Sequence, residues 1–239
     1  MSPAALSSHF APLLEIGDPM TTLTRDSWKD VLRSAVHILR ALEKRGFPRP
    51  DFTMGGGTVL MFRFEHRLSR DIDLFLSDVQ FISVVSPRLN DYAASVVSDY
   101  VEQANAVKLI FAHGDVDFLA AGPVIPDDKS DDFLEFEGEH IRLESTAEIL
   151  GKKMLYRAES LKSRDAFDLA AAMEYDRPAA ARAVRAAASK AAILDRRLDE
   201  LARLPADALE SEILVLERGR HLLADMITRT RRFIADEIA

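Results

Sequence analysis

The sequence contains no cysteine in its 239 residues. Without thiols the chain has no disulfide bonds, no thiolate zinc site and no cysteine nucleophile. No apolar run reaches the roughly 18 residues that a membrane-spanning helix needs. The first residues also lack the positive segment and long apolar stretch of a signal peptide. We therefore expect a cytoplasmic protein that does not contact membranes.

An excess of positive charge is also missing, because the formal net charge is −8 at pH 7. A negative chain argues against binding nucleic acid through bulk charge, although a local basic groove stays possible. Such a groove is predicted between residues 177 and 203, where seven basic residues outnumber three acidic ones. A solvated helix surface is the alternative interpretation of that stretch.

Three consecutive glycines form the first informative motif. Gly55-Gly56-Gly57 follows a predicted strand at residues 52–54 and leads into a predicted helix at residues 58–64. Backbone N–H groups of a glycine turn beside a helix N-terminus favour a bound phosphate. A flexible turn is the plainer interpretation of the glycines alone.

Two aspartates one residue apart follow within twenty residues. Asp71 and Asp73 belong to a predicted strand at residues 71–76, where alternate side chains share a face about 6.6 Å apart. Carboxylates this close repel each other unless a cation binds between them, and Mg²⁺ with phosphate oxygens is a suitable one. The order of the two motifs predicts a metal–phosphate site.

The remaining elements predict an α+β protein. A helix with one apolar face is expected from residue 24 to about residue 45, and an irregular arm at residues 1–20. Residues 78–104 are predicted to be helical, with an interruption near Ser86-Pro87. Strands are predicted at 107–111, 114–119, 133–137 and 140–143, and helices from Ser145, at 163–175 and over 177–239.

The motifs resemble those of known proteins. A glycine pair before a DxD strand resembles the nucleotidyltransferase superfamily. More closely, GGGTxL followed by RxSxDIDLF resembles the AbiEii/AbiGii-type toxin family, whose second half has the pattern K…RDxxDL. This chain has Lys153, then Arg164-Asp165 and Asp168-Leu169, in that order. The resemblance covers about residues 52–170.

The resemblance implies a fold and two regions. The fold is expected to be α+β, with a polymerase-β-like nucleotidyltransferase core built on a small mixed sheet. Residues 1–144 would hold the arm and this core, and residues 145–239 would form a helical C-terminal region.

It also implies roles for individual residues. Nucleotide-binding residues would be Gly56, Gly57, Thr58, Arg67, Ser69, Lys152 and Arg164. Catalytic residues would be Asp71, Asp73, Asp117, Lys153 and Asp165, of which Asp71, Asp73 and Asp117 would bind metal. Asp165 would orient the lysine or act near the attacking group, and Arg157 is a candidate for a further arginine.

Two assignments stay open. The third carboxylate is either Asp115 or Asp117, with Asp117 favoured because it lies in mid-strand. The active lysine is either Lys152 or Lys153. These point about 100° apart on a helix, so only one is expected to face the site. Arg164 and Asp168 are also four residues apart, and alone would predict a surface ion pair.

The implied function is transfer of a nucleoside monophosphate from an NTP, with Mg²⁺ or Mn²⁺, to RNA and most naturally tRNA. The protein would be the toxin of a type IV-like toxin–antitoxin (abortive infection) system, with a cognate antitoxin as partner. A nucleotidyltransferase that modifies antibiotics or other small molecules is one alternative. A non-catalytic nucleotide-binding protein is another.

Overall fold

Seven strands form one mixed sheet in the computed structural model, which describes residues 24–126, 128 and 130–238. In chain order they are β1 (Phe52–Gly55), β2 (Ile72–Leu76), β3 (Asp99–Gln103), β4 (Ala106–Phe111), β5 (Gly114–Leu119), β6 (Phe133–Phe136) and β7 (Glu139–Leu143). The order across the sheet is β3-β4-β5-β2-β1-β7-β6. The pairs β2–β5 and β1–β7 are parallel and the others antiparallel. The predicted α+β fold with a mixed sheet is confirmed.

Helices surround and follow this sheet. Those among the strands are α1 (Trp28–Lys44), α2 (Gly56–Phe64), α3 (Gln80–Val85) and α4 (Asp91–Val96). Those after the last strand are α5 (Thr146–Tyr156), α6 (Ser163–Tyr175), α7 (Arg177–Ala186), α8 (Ala191–Ala202), α9 (Ala206–Ser211) and α10 (Met226–Ile238). A division into units at residues 144 and 145 stays a prediction. No helix within the described ranges is long and apolar enough to cross a membrane.

Strand β2 shows how the sequence pattern positions the site. Ile72, Leu74 and Leu76 are buried in the core, and Asp73 and Phe75 alternate with them on the opposite face. Burying each of these aliphatic side chains is worth about 1.5–3 kcal/mol. A shift by one residue would put the aspartate in the core, so the apolar residues fix the direction of Asp73.

Several predicted boundaries differ from the structure. The helix expected over residues 78–104 is wrong at its end, because Asp99–Gln103 is strand β3. Tyr100 and Val101 suit a strand, and β3 pairs with β4 across the turn between Gln103 and Ala106. Helix α2 begins two residues earlier than predicted, at Gly56. The expected arm at residues 1–20 lies outside the described residues.

The predicted start of α5 is confirmed by its cap. Ser145 Oγ accepts a hydrogen bond from the Glu148 backbone N–H at 3.0 Å. Helix α6 begins where predicted, and Asp165 Oδ2 accepts a hydrogen bond from the Lys162 N–H at 3.2 Å. These two helix starts place the K…RDxxDL motif beside the sheet.

Candidate active site

A cavity of about 610 Å³ opens between the sheet and helices α5 and α6. Residues of both the glycine–aspartate motif and the lysine motif line it. The predicted site residues that line it are Gly56, Gly57, Arg67, Ser69, Asp71, Asp73, Asp117, Lys152, Lys153 and Arg164. Two predicted residues, Thr58 and Asp165, are buried behind this lining.

Adjacent strands bring the carboxylates together. Asp73 on β2 lies opposite Asp117 on β5 in the parallel register, and Asp71 immediately precedes β2. Burial raises the pKa of Asp73, although Arg157 and Lys153 act in the opposite direction. Burial and the neighbouring Asp73 raise the pKa of Asp117 to about 6. A bound cation would stabilise the charged form of these neighbouring buried carboxylates.

The glycine turn packs directly against this charge. Gly56 has φ +72°, a conformation that favours glycine, and a Cβ there would overlap the Asp73 carboxylate. A Cβ at Gly57 would collide with the Arg67 guanidinium. The glycines therefore let the backbone approach both the carboxylate and the arginine.

Thr58 supports the loop before β2. Its hydroxyl donates to the Asp71 backbone carbonyl at 2.6 Å and lies 3.1 Å from Ser69 Oγ. Thr58 is completely buried. The Thr58 hydroxyl is therefore occupied by the loop before β2, and a nucleotide-binding role for Thr58 stays a prediction.

A buried aspartate links the two halves of the motif. Asp168 accepts hydrogen bonds from the Arg67 guanidinium at 2.6 and 2.9 Å, and its Oδ2 lies 3.0 Å from Lys153 Nζ. His66 Nε2 lies 2.7 Å from Asp168 Oδ1. Burial alone would raise the pKa of Asp168, but Arg67 and Lys153 hold it well below its usual value. Burial lowers the pKa of His66, so this imidazole is neutral at pH 7 and donates to Asp168.

Asp165 lies beneath Lys153. The Lys153 ammonium is 2.5 Å from Asp165 Oδ1, and Arg157 is 3.9 Å from the same oxygen. Burial would raise the pKa of Asp165, yet Lys153 outweighs it and the pKa is lowered. Of the two roles left open for Asp165, this position fits orientation of the lysine.

Both candidate lysines contribute to the lining of the cavity, and the choice of the active one stays a prediction. Their partners differ. Lys152 pairs with Glu144 and with Glu148 at 3.2 Å, and its ammonium is 3.7 Å from the centre of the Phe75 ring.

Four further residues near the cavity have no site role in the sequence analysis. His66 follows a short predicted helix, a place in the sequence that predicts an exposed side chain, but the side chain is completely buried. Asp168 has the spacing of a surface partner of Arg164, but it faces inward and contacts Arg67. Glu144 gives no local signal, and Lys108 lies in the predicted strand at residues 107–111 without a predicted role. Lys108 pairs with both Asp115 and Asp117, at 2.7 and 3.5 Å, only because β4 and β5 are neighbours.

The basic stretch at residues 177–203 is largely paired with acidic neighbours. Ion pairs link Arg182 to Asp128 at 2.9 Å, Arg185 to Glu237 at 2.5 Å, Arg197 to Glu200 at 2.8 Å, and Arg203 to Asp199. Two of these acids lie outside the stretch, so its sequence excess of positive charge is reduced in the fold. RNA contact at this surface stays a prediction.

Comparison with known proteins identifies the family. A family model described as "Nucleotidyl transferase AbiEii toxin, Type IV TA system" matches residues 37–236. The chain belongs to this family. It is therefore a nucleotidyltransferase of the AbiEii toxin type, and membership implies an NTP substrate and an antitoxin partner.

The search of solved structures found a similar chain, MenT4, a nucleotidyltransferase toxin from Mycobacterium tuberculosis H37Rv. The identity is 15%, the alignment covers 90% of each chain, and the TM-score is 0.49. A comparison with curated proteins found no match.

Proposed function

We propose that this AbiEii-type enzyme transfers a nucleoside monophosphate from an NTP to a hydroxyl group of RNA, with tRNA as the first acceptor to test. The observation that supports this most directly is the shared cavity. Gly56 of the glycine turn, Asp71, Asp73 and Lys153 all line it. Anion-binding and cation-binding groups thus lie side by side, as a metal-bound triphosphate requires.

The carboxylates fit a divalent cation. Among the described residues, no hydrogen bond or ion pair reaches the Asp73 carboxylate, although it lines the cavity beside Asp71. No set of three Asp, Glu or His side chains in that part of the chain forms a complete metal cage. Mg²⁺ commonly takes one or two carboxylates and completes its shell with water and substrate phosphates. When bound, Mg²⁺ or Mn²⁺ would neutralise phosphate charge at Asp71 and Asp73.

Cationic side chains would hold the rest of the triphosphate. Lys153 is fixed by Asp165 and Asp168, and Arg67 by Asp168. Their shared anchor keeps both cations in one orientation at the cavity wall. Arg164 also lines the cavity. Arg67, Lys153 and Arg164 are therefore the proposed phosphate contacts, with Ser69 and the backbone of Gly56 and Gly57.

Asp117 is the proposed residue near the acceptor. Its pKa of about 6 lets it accept a proton from the attacking hydroxyl at neutral pH. The acceptor oxygen would bond to the α-phosphorus, the bond from that phosphorus to the bridging oxygen would break, and pyrophosphate would leave. Positioning and charge stabilisation would supply most of the rate enhancement.

The charge of the cavity favours a phosphate-rich acceptor. Its lining has six basic side chains against three acidic ones, although most of the basic ones also pair with acidic residues outside the lining. The basic residues are Arg67, Lys108, Lys152, Lys153, Arg157 and Arg164. These cations are the proposed contacts for RNA phosphates, a type of contact that a polycationic antibiotic would not make.

A small-molecule acceptor is the second candidate, and one observation favours it. An adjoining cavity of about 790 Å³ shares Phe75 and Lys152 with the first. Five acidic residues and two basic ones line this second cavity. A compound with amino groups could bind there while its hydroxyl reached the transfer site.

The test incubates the purified chain with each α-³²P-labelled NTP, with Mg²⁺ or EDTA, and with total tRNA or a panel of aminoglycosides. RNA labelled by one or two NTPs only with Mg²⁺ would support the proposal and identify the donor. Label in an aminoglycoside would favour the second candidate. No transfer and no NTP binding would contradict both. The NTP and RNA substrates are the reason to keep the cytoplasm as the proposed location.

A further inference from the structure

We propose that Lys108 supplies the second positive charge of the transfer site, so that this enzyme binds one divalent cation where many polymerases bind two. The inference rests on the proposed function above, since it concerns the same cavity. Two-metal sites place one ion on the leaving-group side and one on the side of the attacking oxygen. Here the structure assigns the second position to a lysine of the chain itself.

The position of Lys108 is fixed by the sheet. It lies on β4 directly opposite Asp117 on β5 in the antiparallel register. Its ammonium is 2.7 Å from Asp115 Oδ2 and 3.5 Å from Asp117 Oδ2. The side chain is partly exposed and lines the cavity. The second aspartate pair of the sequence is thus already bridged by a cation.

The first aspartate pair lacks such a bridge. Within the described residues, no hydrogen bond or ion pair involves the carboxylate of Asp73. Asp71 Oδ1 accepts a hydrogen bond from the Asp115 N–H at 3.3 Å, and Arg70 lies 3.9 Å away on the side of the loop. In this part of the chain, no lysine or arginine therefore lies between Asp71 and Asp73 as Lys108 lies between Asp115 and Asp117. The Asp71–Asp73 pair is therefore open to a metal, whereas the Asp115–Asp117 pair contains the Lys108 ammonium group.

A metal ion at Asp117 would have to displace Lys108 or lie next to it. The ammonium already contacts one oxygen of each carboxylate of this pair, so a metal ion would compete with it for the same ligands. Lys108 is a positioning residue in this account. It holds the Asp117 carboxylate toward the acceptor and adds positive charge near the attacking oxygen.

Removing this ammonium should open a second metal site. The test uses the full chain with a non-hydrolysable α,β-methylene NTP and measures free Mn²⁺ by electron paramagnetic resonance during titration. We expect one Mn²⁺ per nucleotide-bound chain for the unmodified protein and two for Lys108→Met. Lys108→Arg should retain one, since the positive charge is kept. Lys44→Met, on the exposed end of α1, is the matched lysine control and should also retain one.

The kinetics provide a second readout. Label transfer by Lys108→Met should fall about 10- to 100-fold in kcat with little change in the KM for NTP. Its dependence on Mg²⁺ concentration should become steeper, with a Hill coefficient that rises from one toward two. Lys108→Arg should recover most of the rate.

Several results would overturn the inference. Two Mn²⁺ ions in the unmodified chain would mean that Lys108 does not replace a metal, while the nucleotidyltransferase assignment would stand. One Mn²⁺ in Lys108→Met, with circular dichroism showing that it is folded, would mean that Lys108 does not exclude an ion. Failure of the unmodified chain to bind Mn²⁺ and nucleotide at all would instead contradict the proposed function.

Discussion

Asp168 accepts two hydrogen bonds from the Arg67 guanidinium, at 2.6 and 2.9 Å, although 101 residues separate them in the chain. Both side chains are buried, and Asp168 also contacts Lys153. This pair joins the loop before β2 to helix α6. It therefore connects the glycine–aspartate motif to the lysine motif and determines how the cations face the cavity.

Asp168→Asn should destabilise the fold as well as reduce activity. The neutral amide leaves the buried charges of Arg67 and Lys153 without their common partner. Breaking a buried pair in this way typically costs about 3–5 kcal/mol. Urea denaturation measures the loss, and Asp207→Asn on exposed α9 is the control, with an expected change below about 0.5 kcal/mol. Equal stability of the two variants would show that the Asp168 contacts contribute little.

Lys153→Ala should impair NTP use more than Lys152→Ala. Lys153 is held between Asp165 and Asp168, on the same anchor as Arg67, whereas Lys152 pairs with Glu144 and Glu148. Loss of a cation that stabilises developing charge commonly costs about 10²–10³ in rate. Measurement of kcat/KM for the NTP compares the two variants. A larger loss for Lys152→Ala would reverse the assignment of the active lysine.

Gly56→Ala should abolish transfer because its Cβ would displace the Asp73 carboxylate. Gly138→Ala is a matched control: Gly138 has a similar φ of +81°, but a Cβ added there would meet nothing within 4 Å. Each change should cost about 1–2 kcal/mol for the left-handed backbone. Transfer assays and thermal unfolding separate the two effects. Equal activity of the two variants would contradict the close packing of Gly56 on Asp73.

The stability of the fold should depend on Glu144 between pH 4.5 and 7. Burial raises the pKa of Glu144 from 4.5 to about 7, although Lys152 opposes the shift. The folded state therefore binds more protons than the unfolded state in this range, and stability falls as pH rises. At about 1.4 kcal/mol per pKa unit, the free energy of unfolding falls by about 3 kcal/mol over this range.

Urea denaturation at pH 5 and pH 8 tests this dependence. The stability of the unmodified chain relative to Glu144→Gln should fall by about 3 kcal/mol from the lower to the higher pH. The glutamine variant cannot titrate at this position, so it corrects for all other groups. If the difference in unfolding free energy between the unmodified chain and Glu144→Gln is the same at both pH values, the pKa of Glu144 is not raised in the fold.

Local patterns are sufficient for much of the fold. The alternation in Ile72–Leu76 predicts that Asp73 faces away from the core, and the Ser145 cap predicts the start of α5. Residues 99–103 are missed because β3 depends on pairing with β4, which no short window of sequence contains.

The same limit applies to the site. The motif residues are visible because they are close together in the sequence. His66 and Asp168 acquire their partners only when distant segments fold together, and Lys108 acquires its partners when β4 and β5 pair. A buried carboxylate and a solvated one look identical in a sequence, so Asp168 can equally be interpreted there as a surface partner of Arg164.

The central claim is nucleotidyl transfer at the Asp71–Asp73 pair, and the position of the label in the donor tests it most directly. The enzyme is incubated with tRNA, Mg²⁺ and the same NTP labelled either at the α- or at the γ-phosphate. The account predicts label in RNA from the α-labelled donor only, release of γ-label as pyrophosphate, and loss of both in a folded Asp71→Asn variant. Label transferred from the γ-phosphate, or full activity of Asp71→Asn, would contradict it.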